Sequence, residues 1–358
     1  MMRREWSDGT KLVLASILVI LVAGRASAQT VTTAESPDGS FRNPLKVHGA
    51  DPWLMHHDGW YYLTATTGVD VQMRKARRLG ELKDAVDQVV WKDDDPCRNR
   101  DVWAPEFHRL DGGTGIGPRW YLYFTASDGR EPHHRMYVAE SAGDDPMGPY
   151  TFKAKLLTDP KDEFYAIDGT VLTMPDGARY FVWCGRPSTA GQGLYISRMT
   201  NPWTLTGPRV YLEVDGFGCE HVREGPVALR QDGHDRTFLI YSACGADTPD
   251  YKLGMLSIAA GDDPMDPAGW KQHTEPVFTR NDAAKVYGPG HNAFFRSPDG
   301  REDWIAYHAK TETTRGYADR SARAQKFTWN ADGTPNFGKP VGTEVDVALP
   351  SGEPKPGR

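Results

Sequence analysis

Five short polar motifs recur along this chain, each 9 to 17 residues ahead of an aromatic-rich segment. They are Ala50-Asp51-Pro52, Trp103-Ala104-Pro105-Glu106, Ile167-Asp168-Gly169-Thr170, Glu224-Gly225-Pro226 and Gly288-Pro289-Gly290-His291-Asn292. Taken singly they are ordinary, since Asp before Pro or Gly is common in turns for backbone reasons. Taken as a set at a shared phase, they offer three carboxylates (Asp51, Asp168, Glu224) and an imidazole (His291). Like charges gathered in one pocket raise the proton affinity of at least one carboxyl. One group then stays protonated near neutral pH while another stays ionised. That division suits acid/base cleavage of a glycosidic bond. The acid protonates the leaving oxygen, the base activates a water across the sugar ring, and the third carboxylate tunes and orients the acid. Trp103 adds an apolar face on which a sugar can pack. The residues alone leave open which of Asp51 and Glu224 is base and which is acid.

These four residues are more than fifty positions apart, so only the fold can unite them. The elements that must do so are visible as repeats. DGWYYLTAT at 58–66, RWYLYFTAS at 119–127, DGARYFVWCG at 176–185, DRTFLIYSACG at 235–245 and REDWIAYHAK at 301–310 each pair a turn with an aromatic strand. Their anchors Trp60, Trp120, Tyr180, Phe238 and Trp304 are spaced by 60, 60, 58 and 66 residues. GDDPMGP from Gly143 and GDDPMDP from Gly261 echo one another, with TNPWTLTG from Thr200 at a similar phase. A unit of about sixty residues holds four strands, and four-stranded sheets repeated radially form a propeller. The expected fold is therefore all-β, a five-bladed β-propeller, with a sandwich or two-domain β protein as the other arrangement. Residues at equal phase in the blades converge near the axis. The stretch RKARRLGELKDAVDQVV from Arg74 reads either as a short helix or as a strand with a charged loop.

Composition narrows the setting. The 358 residues carry a formal charge of −6 and are 11% aromatic, with 37 Gly and 26 Pro. That aromatic content excludes a disordered chain, and the acidic balance lacks the basic face of a nucleic-acid binder. Cys97, Cys184, Cys219 and Cys244 are too few for a disulfide-built scaffold, and their pairing is not readable. Arg3, Arg4 and Lys11 flank an apolar run, Leu12 to Gly24, that leads to Ala26-Ser27-Ala28. This reads as an export signal over residues 1–28, leaving 29–358 as a single catalytic domain with its core over about 42–348. The run falls short of the ~20 residues that span a bilayer, so an uncleaved anchor is the lesser reading. The expected location is secreted or periplasmic.

Other signals are weaker. His56-His57 and His133-His134 diverge if they lie on strands, and are expected at surface or edge positions. Glu220-His221 with Glu224 lacks the order of a zinc-protease helix. Neither a serine elbow nor a phosphate-cradling loop is present. Asp144-Asp145 and Asp262-Asp263 precede Pro and read as solvated blade connections.

With these motifs in hand, the chain resembles glycoside hydrolase family 43. The likeness is carried by ADPW at 50–53, VWAPEFH at 102–108, AIDGTV at 166–171, EGPVAL at 224–229, YKLGMLS at 251–257, YGPGHNAFF at 287–295 and RAQKFTWNADGTPNFGKPV from Arg323. It runs from about Arg42 to Val341. The resemblance implies a five-bladed propeller and inverting hydrolysis. It implies Asp51 as general base, Glu224 as general acid, and Asp168 as the acid that tunes and orients Glu224. It places His291 at the propeller centre, beside a hydrated metal ion such as calcium in many relatives, with no cofactor required. Trp103 and Arg323 align with positions near the substrate. The motif combination is most like exo-acting α-L-arabinofuranosidases, which release single arabinose units from arabinan or arabino-oligosaccharides. The implied partner is thus a plant cell-wall polysaccharide or oligosaccharide. A β-xylosidase of the same fold is the alternative; a non-catalytic carbohydrate-binding propeller would not need all three carboxylates. Val222-Arg223 departs from the Val-Asn common before the acid in relatives. An inward Arg223 would lower that acid's pKa, and alternation along a strand points it outward.

Overall fold

The computed structural model describes residues 39–113, 115–186 and 191–354; the expected export signal lies outside them. A short strand β1 (Ser40–Phe41) precedes five four-stranded antiparallel sheets. Blade 1 holds β2 (Trp53–His57), β3 (Trp60–Thr66), β4 (Val71–Ala76) and β5 (Gln88–Trp91). Blade 2 holds β6 (Arg100–Asp111), β7 (Pro118–Ser127), β8 (Arg135–Ser141) and β9 (Tyr150–Lys155). Blade 3 holds β10 (Ala166–Thr173), β11 (Arg179–Gly185), β12 (Gly193–Asn201) and β13 (Thr204–Leu212). Blade 4 holds β14 (Arg223–Arg230), β15 (Arg236–Ala243), β16 (Lys252–Ala259) and β17 (Lys271–Gln272). Blade 5 holds β18 (Tyr287–Arg296), β19 (Asp303–Lys310), β20 (Ser321–Trp329) and β21 (Pro335–Asn336). Strand order within each sheet follows the sequence. The arrangement is the five-bladed β-propeller.

The aromatic strands are explained by where their two faces go. Leu54, Tyr61 and Leu63 of blade 1 pack with Phe295, Trp304 and Ala306 of blade 5. On the other face of β3, Tyr62 packs with Trp120, Leu122 and Phe124 of blade 2. The alternate residues of β7, Tyr121 and Tyr123, meet Phe181 and Trp183 of blade 3. Two further clusters join blades 3 and 4, and blades 4 and 5. A strand buried on both faces reads as a continuous apolar run and not as an alternation. The blades are in effect stacked sheets, and the core lies between them.

The ring closes through its ends. β1 pairs with β22 (Val347–Ala348). Leu45 N–H donates to Ala322 O and Ala322 N–H to Lys46 O, while the Asn43 amide exchanges two 3.0 Å bonds with the backbone of Ala324. Residues 43–46 thus extend the outer edge of blade 5 where β21 is too short to cover it. The GDDPM echo has a shared physical cause. Asp145, Asn201 and Asp263 each precede Pro and accept the N–H of the residue after it (Met147, Trp203, Met265) at 2.9 to 3.0 Å. These are Asx turns joining the third and fourth strands. Asp144 and Asp263 also form exposed ion pairs with Arg109 and Arg198. The segment from Arg74 proves to be the end of β4, a 3-10 turn at Leu79–Asp84 that buries Leu79 and Leu82, and β5.

Candidate active site

Near the axis, every blade carries a residue in the left-handed region at one shared place: Asp51 (φ 52°), Ala104 (44°), Asp168 (54°), Gly225 (54°) and His291 (48°). In blades 2 to 5 a bulge coincides with it, the register slipping across Trp103/Glu106, Ile167/Thr170, Glu224/Val227 and Gly290/Ala293. A bulge leaves its extra residue unpaired and re-aims the side chain. Such a conformation persists where the surroundings over-determine it. Here the surroundings are links between blades. Ala104 N–H donates to Thr66 Oγ1 (2.8 Å) and Asp168 N–H to Thr125 Oγ1 (3.1 Å). His291 N–H donates to Ser242 Oγ (2.8 Å), and Asp51 N–H to His308 Nδ1 (3.1 Å). Each acceptor sits on the second strand of the preceding blade, blade 5 preceding blade 1. At the remaining junction Gly225 N–H turns instead to Asp168 Oδ2 (3.2 Å).

Asp51, Asp168 and His291 therefore share one phase, as their motifs suggested. Glu224 stands one residue earlier, in the position of Trp103, because Gly225 takes the left-handed place. A Cβ at Gly225 would lie 3.2 Å from the His291 ring, so glycine also admits the imidazole. Asp51, Trp103, Asp168, Glu224 and His291 all line one cavity of about 790 Å³. Arg323 does not: it is fully buried within blade 5, its Nε donating to Ser321 Oγ at 3.1 Å. The cavity cation that reaches Asp51 is Arg320, just ahead of β20, whose Nη1 donates to Asp51 Oδ1 at 2.8 Å. Pairing into the blade begins at Ser321, so Arg320 is the last basic residue before the chain turns inward. The loop that carries it is held by the buried Lys310 ammonium, which donates to Asp247 O (3.0 Å) and Gly316 O (2.9 Å).

Arg320, Thr66, His308 and Tyr251 were missed in the sequence. A signal was present for two of them. The aromatic segments end in Thr66, Thr125, Cys184, Ser242 and His308, each followed within one or two residues by Ala or Gly.

The carboxyls have opposed electrostatics. Burial alone would raise the pKa of Asp51. Arg320, His291 and His308 outweigh it and hold Asp51 well below the usual carboxylate range. Thr66 Oγ1 also donates to Asp51 Oδ2 at 2.7 Å. Burial raises Glu224 to about 7; the Asp51 charge adds to this, and Tyr251, Arg320 and Arg186 oppose it. Tyr251 OH donates to Glu224 Oε1 at 2.8 Å. Burial, then the charges of Glu224 and Asp51, raise Asp168 well above its ordinary value, with the Gly225 N–H opposing. Burial lowers His308 to about 4, which keeps Nδ1 free to accept the Asp51 N–H.

Trp103 stacks on His134 with ring centroids 4.2 Å apart. His134 is 2% exposed, which corrects its expected surface position; it closes a 3-10 turn and backs the cavity wall. His133 keeps a surface place beside Asp128. Arg186 pairs with Glu131 at 2.7 Å and lies over the Tyr165 ring, bridging blades 2 and 3 at the rim. Arg223 turns to the loop carbonyls of Cys219 and Val214. Cys219 and Cys244 form a disulfide, while Cys97 and Cys184 are free. His291 Nδ1 faces carboxylates, 3.4 Å from Asp51 Oδ1 and 4.0 Å from Asp168 Oδ2. Among the described residues no three His, Cys, Asp or Glu side chains are grouped to hold a metal ion directly.

The chain is similar to known proteins over most of its length. The family model for glycosyl hydrolases family 43 matches residues 41–335. An extracellular exo-alpha-(1->5)-L-arabinofuranosidase of Streptomyces avermitilis is 36% identical, over 93% of this chain and 70% of that protein. One of the same name from Streptomyces chartreusis is 38% identical, over 81% of this chain and 90% of that protein. The crystal structure of an alpha-L-arabinofuranosidase from Lactobacillus brevis superposes with a TM-score of 0.77 at 36% identity, covering 85% of this chain and 98% of that one.

Proposed function

The chain belongs to glycosyl hydrolases family 43, and from that premise we propose that it is an exo-acting α-L-arabinofuranosidase that releases terminal arabinose from arabinan or arabino-oligosaccharides with inversion. One observation supports the mechanism above all. In a single cavity Asp51 is held ionised while Glu224 is raised to about 7. Asp51 is the base. It takes a proton from a water as that water's oxygen bonds to the anomeric carbon. Glu224 is the acid. It gives its proton to the glycosidic oxygen as the carbon–oxygen bond breaks and its electron pair passes to the leaving group. Asp168, itself buried and raised by the Glu224 charge, is the acid's orienting partner and receives the Gly225 N–H. Trp103 gives the sugar an apolar face, and no step runs through a metal ion. Two relatives are named extracellular enzymes, and the leader at residues 1–28 accords with export.

The test is turnover of aryl α-L-arabinofuranoside, aryl β-xyloside and linear arabinan, with the anomer of the first product read by NMR. Arabinose released as the inverted anomer is the expected result. Xylose as the preferred product overturns the substrate, and a retained anomer overturns the mechanism.

A further inference from the structure

The five blade junctions are not equivalent, and the exception falls beside the acid. Four left-handed residues have their N–H groups fixed by Thr66, Thr125, Ser242 or His308 of the preceding blade. The residue at that place in blade 3 is Cys184. It pairs with Ile167, as Ser242 pairs with Glu224 and His308 with Gly290. Cys184 is fully buried and makes no disulfide. Burial, Asp168 and Glu224 all keep it as the neutral thiol. Neutral sulfur is a weak acceptor compared with a hydroxyl or an imidazole nitrogen. Gly225 N–H, which follows Glu224 directly, is bound to Asp168 Oδ2 instead.

We propose that Cys184 is a positioning residue: by declining the Gly225 N–H, it leaves that amide to Asp168 and so fixes the Asp168 carboxyl against Glu224. An oxygen acceptor at residue 184 would complete the fivefold ring and take the amide away. This rests on the reading of Glu224 as acid and Asp168 as its tuner. Titratable and charged groups facing this pair are Asp51, Glu106, His291, Arg320 and Arg186. Tyr165, Tyr251 and Tyr317 face Glu224 too and stay neutral at working pH.

The test compares Cys184→Ser with Cys184→Ala. Packing alone predicts that Ala, which leaves the larger gap, is the worse substitution. The proposal predicts the reverse. In Cys184→Ser, kcat on arabino-oligosaccharide falls by about tenfold through misplacement of the acid, with KM unchanged. Asp168 loses an N–H that favours its charged form, so the pair holds its proton longer and the basic limb of the pH profile moves up. Cys184→Ala stays within about twofold of the parent, because a methyl group cannot compete for the amide. Ala equal to or worse than Ser, or an unmoved limb in Ser, overturns the proposal. So does a crystal structure of Cys184→Ser that keeps Gly225 N–H on Asp168. Cys184→Thr is the second variant should Ser fail to fold, since Thr66 and Thr125 show that threonine fits this place elsewhere. Glu224→Ala separates the two failures. Equal losses on aryl and sugar leaving groups would remove the acid reading itself; selective loss without the Ser/Ala contrast removes only the role of Cys184.

Discussion

The junction between blades 5 and 1 and the junction between blades 3 and 4 use one backbone device to opposite ends. At the first, Asp51 has its N–H on His308 and its carboxylate on Arg320, with His291 nearby. At the second, the Glu224 charge raises Asp168, the local amide and phenol are the donors, and the charges of Arg320 and Arg186 do not outweigh burial at Glu224. Burial is shared and acts in the same direction on all three carboxyls. The neighbours decide the outcome: cations override burial at one junction, and a second carboxyl reinforces it at the other. Base and acid are thus assigned by what surrounds the left-handed residues and not by the backbone device itself.

Removing the reacting groups should break this contrast most. Asp51→Ala should lose about 10²–10⁴-fold on aryl and sugar leaving groups alike, because no water is activated for either. Glu224→Ala should lose as much on arabino-oligosaccharide and far less on an activated aryl arabinofuranoside, whose leaving group needs no proton; comparison of kcat/KM on the two substrates reads the difference. Arg320→Met should make the first junction behave like the second. Asp51 must be ionised to act, so without the guanidinium its proton affinity rises and activity is lost at higher pH on the acidic side. The acidic limb should move up by roughly one pH unit or more, with Arg320→Lys restoring part of the shift. Tyr251→Phe should give the smallest change. The phenol stabilises ionised Glu224, so its loss lets Glu224 hold its proton longer, and the basic limb near 7 moves up. A limb that moves down would remove Tyr251 as the donor.

Much of this was legible in one dimension because a propeller repeats its chemistry. The near-sixty-residue spacing carried the blades, and Asp51, Asp168 and His291 could be found by their shared phase. The same logic failed in small offsets. The second-strand positions, Thr66, Thr125, Cys184, Ser242 and His308, show that the aromatics equivalent to Tyr180 in blades 1 and 2 are Tyr62 and Tyr121, one or two residues beyond the anchors Trp60 and Trp120. Both faces of these strands are buried, so neighbouring aromatics look alike in sequence while packing on opposite blades. Arg323, implied by the resemblance, proves buried within β20, and Arg320 was missed, since a string of residues does not show where strand pairing begins. His134 was misplaced because its neighbour His133 is exposed and nothing local separates them.

Residue types and period, then, determined the fold, the three carboxyls and the class of chemistry, because radial symmetry turns equal spacing into a common location. The direction in which each carboxyl titrates was decided by the tertiary structure alone. Arg320 lies 269 residues from Asp51, Tyr251 donates to Glu224 from just ahead of β16, and Asp168 on β10 is raised by the Glu224 charge. Coulomb energy falls with distance in space and takes no account of distance along the chain.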